Sequence, residues 1–256
     1  MSSAPISEDE TLRRMLTRPH HPRSAGYDPR WLIDNMMGPN VLWLTEALSE
    51  VLALTPGMRV LDLGCGKAIS SIFLAREFGV QVWASDLWIA PTPNLERVRT
   101  AGLQGSVFPI HAEAHALPFA EGFFDAIVSF DAYHYFGSSD LYLSYLSRYL
   151  SPDGRIGIVV PGVRHELEAL PPPGLAPYWD ADFCSFHSPG WWRRHWEKSL
   201  AVRVEQADWL PHGWEDWLLW NRACALAGRG YEPELRLLET DGGNLLGFSR
   251  VVARRH

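Results

Sequence analysis

The amino-acid sequence predicts an α/β protein with a doubly wound, mostly parallel β-sheet and helices on both faces. Between residues 58 and 160, short apolar runs typical of buried strands alternate with segments of helical periodicity. A glycine turn directly follows the first of these runs, at the place where open α/β sheets bind ligands. Past residue 160 the alternation stops, so we expect a tryptophan-rich insertion before the last strands.

The N-terminal region should begin with a short helix. Ser7 and Glu10 have capping-box spacing before an amphipathic segment, which predicts a helix start near residue 8. A second helix is indicated by apolar residues that recur at helical spacing from 44 to 52, and the TPG turn at 55–57 ends it.

The alternating region is predicted from its apolar periodicity and its turn residues. We expect strands at 58–63, 80–85, 106–111, 123–130 and 155–160, and helices at 68–78, 94–102 and 140–150.

The C-terminal third should complete the sheet. A strand is expected at 201–210, a helix at 214–228 and a last strand at 245–253. The predicted organisation has four parts: an N-terminal lid or helical segment (1–38), a ligand-binding core (39–160), a substrate-covering insertion (161–202) and a C-terminal part that completes the core (203–256).

Composition narrows the class of function. The 256 residues carry 23 basic and 30 acidic side chains, a formal net charge of −7, which argues against nucleic acid as the main partner. No apolar run approaches the length of a membrane span. The three cysteines are far apart, so neither a disulfide framework nor a metal site is predicted, and a soluble protein of the reducing cytoplasm is expected.

Two acids flank the glycine turn and indicate the charge of its ligand. Asp62 lies two residues before Gly64, and Asp86 ends the next predicted strand, 20 residues after Gly66. A dinucleotide fingerprint would need glycine where Ile69 stands. A carboxylate at position 62 would repel a pyrophosphate but attract a cationic ligand, and Asp86 can accept hydrogen bonds from unphosphorylated ribose hydroxyls.

At these residues the chain resembles the class I S-adenosylmethionine-dependent methyltransferases, closest to the small-molecule branch that includes quinone C-methyltransferases. VLDLGCGKA (60–68) is similar to their first motif, and HAEAHALPFAEGFFDAIVSFDAYHYF (111–136) continues the match. The resemblance covers roughly residues 40–160. It implies a Rossmann-like fold, S-adenosylmethionine as cofactor, and these cofactor-binding residues: Asp62, Gly64, Cys65, Gly66, Asp86, Leu87, Ala112, Glu113, Ala114, Phe130 and Asp131.

Each motif residue also has a structural explanation. The two glycines can simply permit a tight strand-to-helix turn, and Cys65 can be a small buried side chain rather than a reactive thiol. Glu113 stands where the family usually has Asp beside the adenine, which keeps an acceptor there. N-terminal segments often close the cofactor site in related enzymes, so the basic stretch at 11–23 is interpreted as a lid.

Methyl transfer from a sulfonium needs alignment more than reactive groups, and a base only where the acceptor must lose a proton. His134, in the DAYHYF loop just past the fourth strand of the core, is the candidate base; otherwise it binds substrate or caps a helix. Tyr133 and Tyr135 share this loop and are expected to bind substrate or simply to pack.

Eight of the twelve tryptophans lie between residues 179 and 220. They can form the core of the insertion or an aromatic wall for the acceptor, and we predict Trp179, Trp191 and Trp192 as substrate-binding. His187 is a weaker second base. Two other functions stay open: an NAD-linked oxidoreductase, and a noncatalytic module that binds an adenosyl ligand.

Overall fold

The computed structural model describes residues 7–169 and 171–256. Within them the helices are α1 (Glu8–Leu16), α2 (Pro29–Asp34), α3 (Val41–Leu52), α4 (Ile69–Phe78), α5 (Pro91–Thr100), α6 (Tyr142–Leu146), α7 (Pro189–Glu197), α8 (Gly213–Leu226) and α9 (Glu232–Asp241). The strands are β1 (Arg59–Leu63), β2 (Gln81–Asp86), β3 (Val107–His111), β4 (Phe124–Phe130), β5 (Leu150–Val163), β6 (Val202–Trp209) and β7 (Leu246–Arg255).

The strands form one sheet in the order β3-β2-β1-β4-β5-β7-β6. β1 to β5 pair in parallel, while β7 runs antiparallel to both β5 and β6. The chain reverses its direction of travel across the sheet between β1 and β4, which is the switch point where such sheets bind ligands. The predicted doubly wound, mostly parallel α/β fold is confirmed.

The central strands β4 and β5 are buried over most of their length because both faces of the sheet are covered. In β1, Val60 packs into one core with α3, α4 and α8, whereas Leu61 packs into a second core with α6 and α7. Burying side chains of this size stabilises the fold by about 1.5–3 kcal/mol each. The alternation of side chains along the strand therefore fixes which helices lie on each face.

Local signals set several element ends as predicted. The hydroxyl of Ser7 accepts a hydrogen bond from the Glu10 amide (3.2 Å) and starts α1. Gly79 ends α4 in the left-handed conformation, with φ 66°. Ala53, in the left-handed conformation, caps α3, and the TPG turn follows two residues after the helix ends.

Other boundaries differ from the prediction. The helix expected at 140–150 ends at Leu146, because the chain turns through a 3-10 segment into β5, which begins at Leu150. Three short helices, α2, α7 and α9, are not anticipated by the periodicity. α7 lies within the predicted irregular insertion, and its start carries a recognisable cap, since the Ser188 hydroxyl accepts a hydrogen bond from the Trp191 amide.

The N-terminal helices form a third core against α3, α4 and α8. Leu12 and Leu16 of α1 are buried there beside Trp220 of α8. This packing brings the loop after α2 over the carboxyl ends of the central strands. Among the described residues, no helix has the length and apolar character needed to cross a membrane.

Candidate cofactor and acceptor site

A cavity of about 380 Å³ opens at the carboxyl ends of β1 to β4. Four strand ends supply its floor: residues 63–67, 85–88, 112–115 and 130–132. Segment 35–41 and the side chains of Tyr135, Phe136 and Trp220 supply much of the rest of the wall. The volume lies within the usual range for small-molecule and cofactor sites.

The glycine turn after β1 forms part of the cavity wall with its backbone. Gly64 and Gly66 both have positive φ, 76° and 52°, where side chains are strained. A Cβ at Gly64 would also lie 2.5 Å from the Cβ of Ala132. The Gly64 and Cys65 amides donate to the Ser85 carbonyl (2.9 and 3.1 Å), which ties the turn to the end of β2.

The carboxylate of Asp86 is on the wall and holds the turn in place. One oxygen accepts a hydrogen bond from the Gly66 amide, and the other accepts from the amides of Trp88 and Ile89, all at 2.8 Å. A carboxylate has about four acceptor positions, so one remains for a ligand hydroxyl. Leu87 and Trp88 continue the wall and are half or more exposed at its mouth.

Asp62 departs from the expectation that it faces the ligand. It is fully buried and is not among the residues that line the cavity in the described chain. One oxygen accepts hydrogen bonds from the hydroxyls of Ser70 and Ser71 at 2.6 Å each, and the other has no partner. Burial raises the pKa of this carboxyl to about 6, because desolvation outweighs the two hydroxyl donors. Asp62 therefore joins β1 to the start of α4 beneath the cavity.

The strand ends at β3 and β4 place the other predicted cofactor residues. Ala112, Glu113, Ala114 and Phe130 all lie on the wall. The Glu113 carboxylate is turned toward His115, accepting from its amide (2.9 Å) and lying 2.7 Å from its Nδ1. The hydrogen bond from His115 lowers the pKa of Glu113.

Cys65, in the glycine turn, also lies on the wall. Burial raises the pKa of the Cys65 thiol, so the thiol form prevails there.

His134 and Tyr133 are not in the position predicted for a base and a substrate contact. Neither residue is among those lining the cavity of the described chain, and His134 is only 2% exposed. Desolvation lowers the pKa of His134 to about 3. Tyr133 is fully buried against Trp192 and Trp196. The loop turns these two rings into the core because their bulk is easier to bury there, and it leaves Tyr135 on the wall.

The insertion packs into the second core and on itself instead of lining the cavity. Trp179, His187, Trp191 and Trp192 are absent from the lining in the described part of the chain. Trp192 is fully buried, and Trp191 stacks between the rings of His187 and His195, with ring centroids 3.6 and 4.6 Å away. The Nδ1 of His187 is 2.9 Å from the Glu166 carboxylate. Their substrate-binding roles are therefore not supported by this geometry.

The cover comes from the end of the predicted N-terminal lid (1–38) and the residues that follow it to 41, although the sequence did not single out any residue there. Met37 and Gly38 lie on the wall, and the Trp220 indole donates to the Gly38 carbonyl at 2.9 Å. A Cβ at Gly66 would meet the Met37 sulfur at 2.7 Å, so the cover rests directly on the glycine turn. The only sequence signal was the irregular MMGPN stretch between two helices.

In the described chain, no residue of the basic stretch at 11–23 lines the cavity. The stretch instead contacts α8, the helix whose Trp220 bonds to the cover. Asp216 of α8 accepts a hydrogen bond from Arg18 at one oxygen (2.8 Å), and the Nε2 atoms of His20 and His21 lie 2.7 and 3.1 Å from the other. The two imidazoles and the carboxylate have the spacing of metal ligands. The Arg18 guanidinium already compensates the carboxylate, so we interpret the group as a tie between the N-terminal region and α8.

The charges of the cavity favour a cationic ligand over a pyrophosphate. Asp86 and Asp131 line it, while the cation on the wall, Lys67, reaches the carbonyls of Asp34 and Met36 at 3.4 Å. An adenosyl ligand with a sulfonium fits this set: ribose hydroxyls can reach Asp86, the backbone of 112–114 can flank the base, and the glycine turn admits close approach.

Comparisons with known proteins agree with this geometry. Residues 60–154 match the family model described as a methyltransferase domain. The chain is 32% identical to the methyltransferase GfsG of Streptomyces halstedii over 164 residues, which span 62% of this chain and 57% of that protein. It is 28% identical to the demethylmenaquinone methyltransferase of Mycolicibacterium vanbaalenii over 194 residues, 70% of this chain and 80% of that one.

The fold is shared with solved structures. The phosphoethanolamine N-methyltransferase 2 of Haemonchus contortus, in complex with S-adenosyl-L-methionine, superposes with a TM-score of 0.70 at 20% identity, over 98% of this chain and 60% of that one. Together, the family model and the curated relatives confirm the resemblance inferred from the motifs, and the solved structures confirm the fold. Because the alignment with GfsG spans little more than half of that protein, the activity of this chain is inferred from its own site.

Proposed function

We propose that this chain, which belongs to the class I S-adenosylmethionine-dependent methyltransferases, transfers the methyl group of that cofactor to a small-molecule acceptor. The observation that carries the proposal is the cavity at the ends of β1 to β4, where the Asp86 carboxylate and the left-handed glycine turn lie on one wall.

Each wall would hold one part of the cofactor. Asp86 would accept a hydrogen bond from the ribose, and its three bonds to backbone amides fix the position of the carboxylate. The strand end at 112–114 would flank the adenine. The backbone of Gly64 and Gly66 would approach the methionine part, since no side chain stands between.

The bound cofactor would supply a methyl group on a positively charged sulfur with a good leaving group. The protein then has to align the acceptor with that methyl and exclude water from the line of attack. Met37 and Trp220 close one side of the cavity, while Trp88 and Tyr135 border its mouth. The acceptor would enter between these last two rings.

His134 is not proposed as the base, because its ring is buried off the wall and its pKa is lowered. Asp131 and Tyr135 are the titratable groups on the wall nearest the end of β4. Any proton that the acceptor loses would pass to the Asp131 carboxylate or to water at the open mouth, because the raised pKa of Tyr135 keeps its phenol protonated.

Isothermal titration calorimetry with S-adenosylhomocysteine and with NAD⁺ tests the cofactor. We expect the first ligand to bind and the second to bind at least a hundredfold more weakly, roughly 3 kcal/mol of discrimination. The reverse order would replace the proposal with the NAD-linked oxidoreductase.

Incubation with methyl-labelled cofactor and a metabolite extract tests turnover. Label in a small molecule is the expected result. Binding without transfer, across extracts from several growth conditions, would favour the noncatalytic adenosyl-binding module instead.

The setting of the reaction is part of the same proposal. The net charge of −7 supports a small-molecule partner rather than nucleic acid. The free cysteines Cys65, Cys184 and Cys224 support a reducing compartment such as the cytoplasm.

A further inference from the structure

Asp131 lines the cavity with a carboxylate that has neither a hydrogen bond nor an ion pair among residues 7–169 and 171–256. It stands at the end of β4, on the opposite side of the glycine turn from the adenine end at β3. A desolvated carboxylate without a partner is costly, and burial raises its pKa well above the usual range. A ligand that brings a hydrogen-bond donor or a cation would supply the partner that this carboxylate lacks.

The position of the Asp131 carboxylate is fixed at a cost in backbone strain. Asp131 has φ 52°, in the left-handed region, and its amide donates to the Val159 carbonyl at 3.0 Å. A Cβ at Gly38 would lie 2.2 Å from Oδ2 of Asp131, so only a glycine in the cover permits this arrangement. Strained backbone that is fixed from two sides is typical of ligand-binding positions.

Aromatic rings lie on the same part of the wall. Tyr135 and Trp88 both line the cavity, with ring centroids 5.8 Å apart, and they are 51% and 72% exposed. Phe136 lines it as well. Two exposed rings beside a carboxylate offer a cation both a charge partner and π-faces.

The surrounding charge has the same sign. Burial raises the pKa of the Tyr135 hydroxyl to about 12, with further contributions from the negative charges of Asp131, Asp182, Asp180 and Glu234. Glu234 accepts hydrogen bonds from the Trp217 indole and the Asn221 amide, which are both neutral donors. Positive charge brought by a ligand would be stabilised here.

We propose that the methyl acceptor carries an amine, held as its ammonium by Asp131 between the rings of Tyr135 and Trp88. This inference rests on the proposed methyl transfer and specifies its substrate class. The ammonium gives one proton to the Asp131 carboxylate, and the freed nitrogen lone pair forms the N–C bond. The S–C bond breaks with its electron pair remaining on sulfur, which leaves a neutral thioether and a methylated ammonium.

The test compares two probes of equal shape, choline and 3,3-dimethylbutan-1-ol, which differ only in the charge of the quaternary centre. Both are titrated by calorimetry into the protein saturated with S-adenosylhomocysteine, whose own binding is measured first. We expect choline to bind about tenfold or more tightly than the alcohol, since a cation between rings and a carboxylate is stabilised to at least that extent.

Asp131→Asn should bring the two probes to within about twofold of each other, because the charge contact is worth most of that ratio. Asn tolerates the left-handed conformation and removes a costly buried charge, so the variant should fold with a melting temperature at least as high as that of the parent. The affinity for S-adenosylhomocysteine should stay within about threefold, as expected if Asp131 serves the acceptor. Glu121→Gln, which removes an exposed charge paired with Arg148, controls for net charge and should keep the full ratio.

Tyr135→Leu gives a second reading that does not depend on the folding of Asp131→Asn. Losing one half-exposed ring should lower the choline preference by about threefold. The inference is overturned if the intact protein shows no preference for choline, or if the preference survives both substitutions. It is also overturned if Asp131→Asn mainly weakens S-adenosylhomocysteine, because the carboxylate would then serve the cofactor's own ammonium. Failure of S-adenosylhomocysteine to bind at all would instead refute the proposed function.

Discussion

Asp62 should make the protein less stable as the pH rises from about 4 to about 6. Its carboxyl is fully buried, and its pKa is raised from 3.8 to about 6 by desolvation. In the unfolded chain the group releases its proton near pH 4, whereas the folded chain holds the proton until about pH 6. The folded state therefore binds more protons in this window, and the free energy of unfolding falls as the pH increases.

The size of the effect follows from the shift. About two pKa units at 1.36 kcal/mol each correspond to roughly 3 kcal/mol between the two ends of the window. Asp62→Asn removes the titration but keeps the shape, and its amide oxygen can still accept from Ser70 and Ser71. We expect the difference in unfolding free energy, variant minus parent, to rise by about 3 kcal/mol from pH 4 to pH 7.

Urea unfolding at four pH values between 4 and 7 measures this difference directly, and the other titrating groups cancel in it. Asp125→Asn is the matched control. Burial acts to raise the pKa of Asp125, but hydrogen bonds from Arg59 outweigh it and lower that pKa, so most of the parent's gain on this variant lies below about pH 4 and the difference should be nearly flat from pH 4 to 7. A flat Asp62 difference across the range would refute the burial argument.

Three further substitutions probe the walls of the cavity. Asp86→Ala removes the acceptor of three backbone amides and should lower the unfolding free energy by about 3–5 kcal/mol in urea melts, beyond weakening the cofactor; full stability would contradict its structural role. Gly64→Ala forces a Cβ to within 2.5 Å of Ala132 and should abolish S-adenosylhomocysteine binding by calorimetry; retained affinity would show that the turn can move. Trp220→Phe loses the bond to Gly38 and should speed S-adenosylhomocysteine release about fivefold in stopped flow, whereas an unchanged rate would mean that this bond does not hold the cover.

Much of the sheet was predictable because its signals are local. The apolar runs, the left-handed glycines and the caps at Ser7 and Gly79 each depend on neighbouring residues. Asp86 was placed correctly at the cavity by the spacing of one strand and one turn. The sequence did not predict its hydrogen bonds to three backbone amides, because these depend on how the following loop folds back.

The cover of the site could not be predicted from local sequence signals. Gly38 and Trp220 meet across 182 positions of sequence, and nothing in either neighbourhood encodes the partner. The substrate-binding role predicted for the tryptophans of the insertion is not supported, and the reason is physical. Large rings gain most from full burial, and Trp192 and Trp196 are buried completely. His134 lay in the right loop, but a turn of that loop directs its ring inward.

The cover of the cavity and the segment that matches the family model are different pieces of chain. The family match spans 60–154, whereas the cover comes from residues 35–41 and from α8. Exchanging only the cover between two members of this fold, together with its contact at Asp216, would therefore change how the cavity closes while the strand ends that line it stay the same. Because Met37 lies against the glycine turn and Trp220 bonds to Gly38, such an exchange would change the release of the cofactor as well as the closing of the cavity.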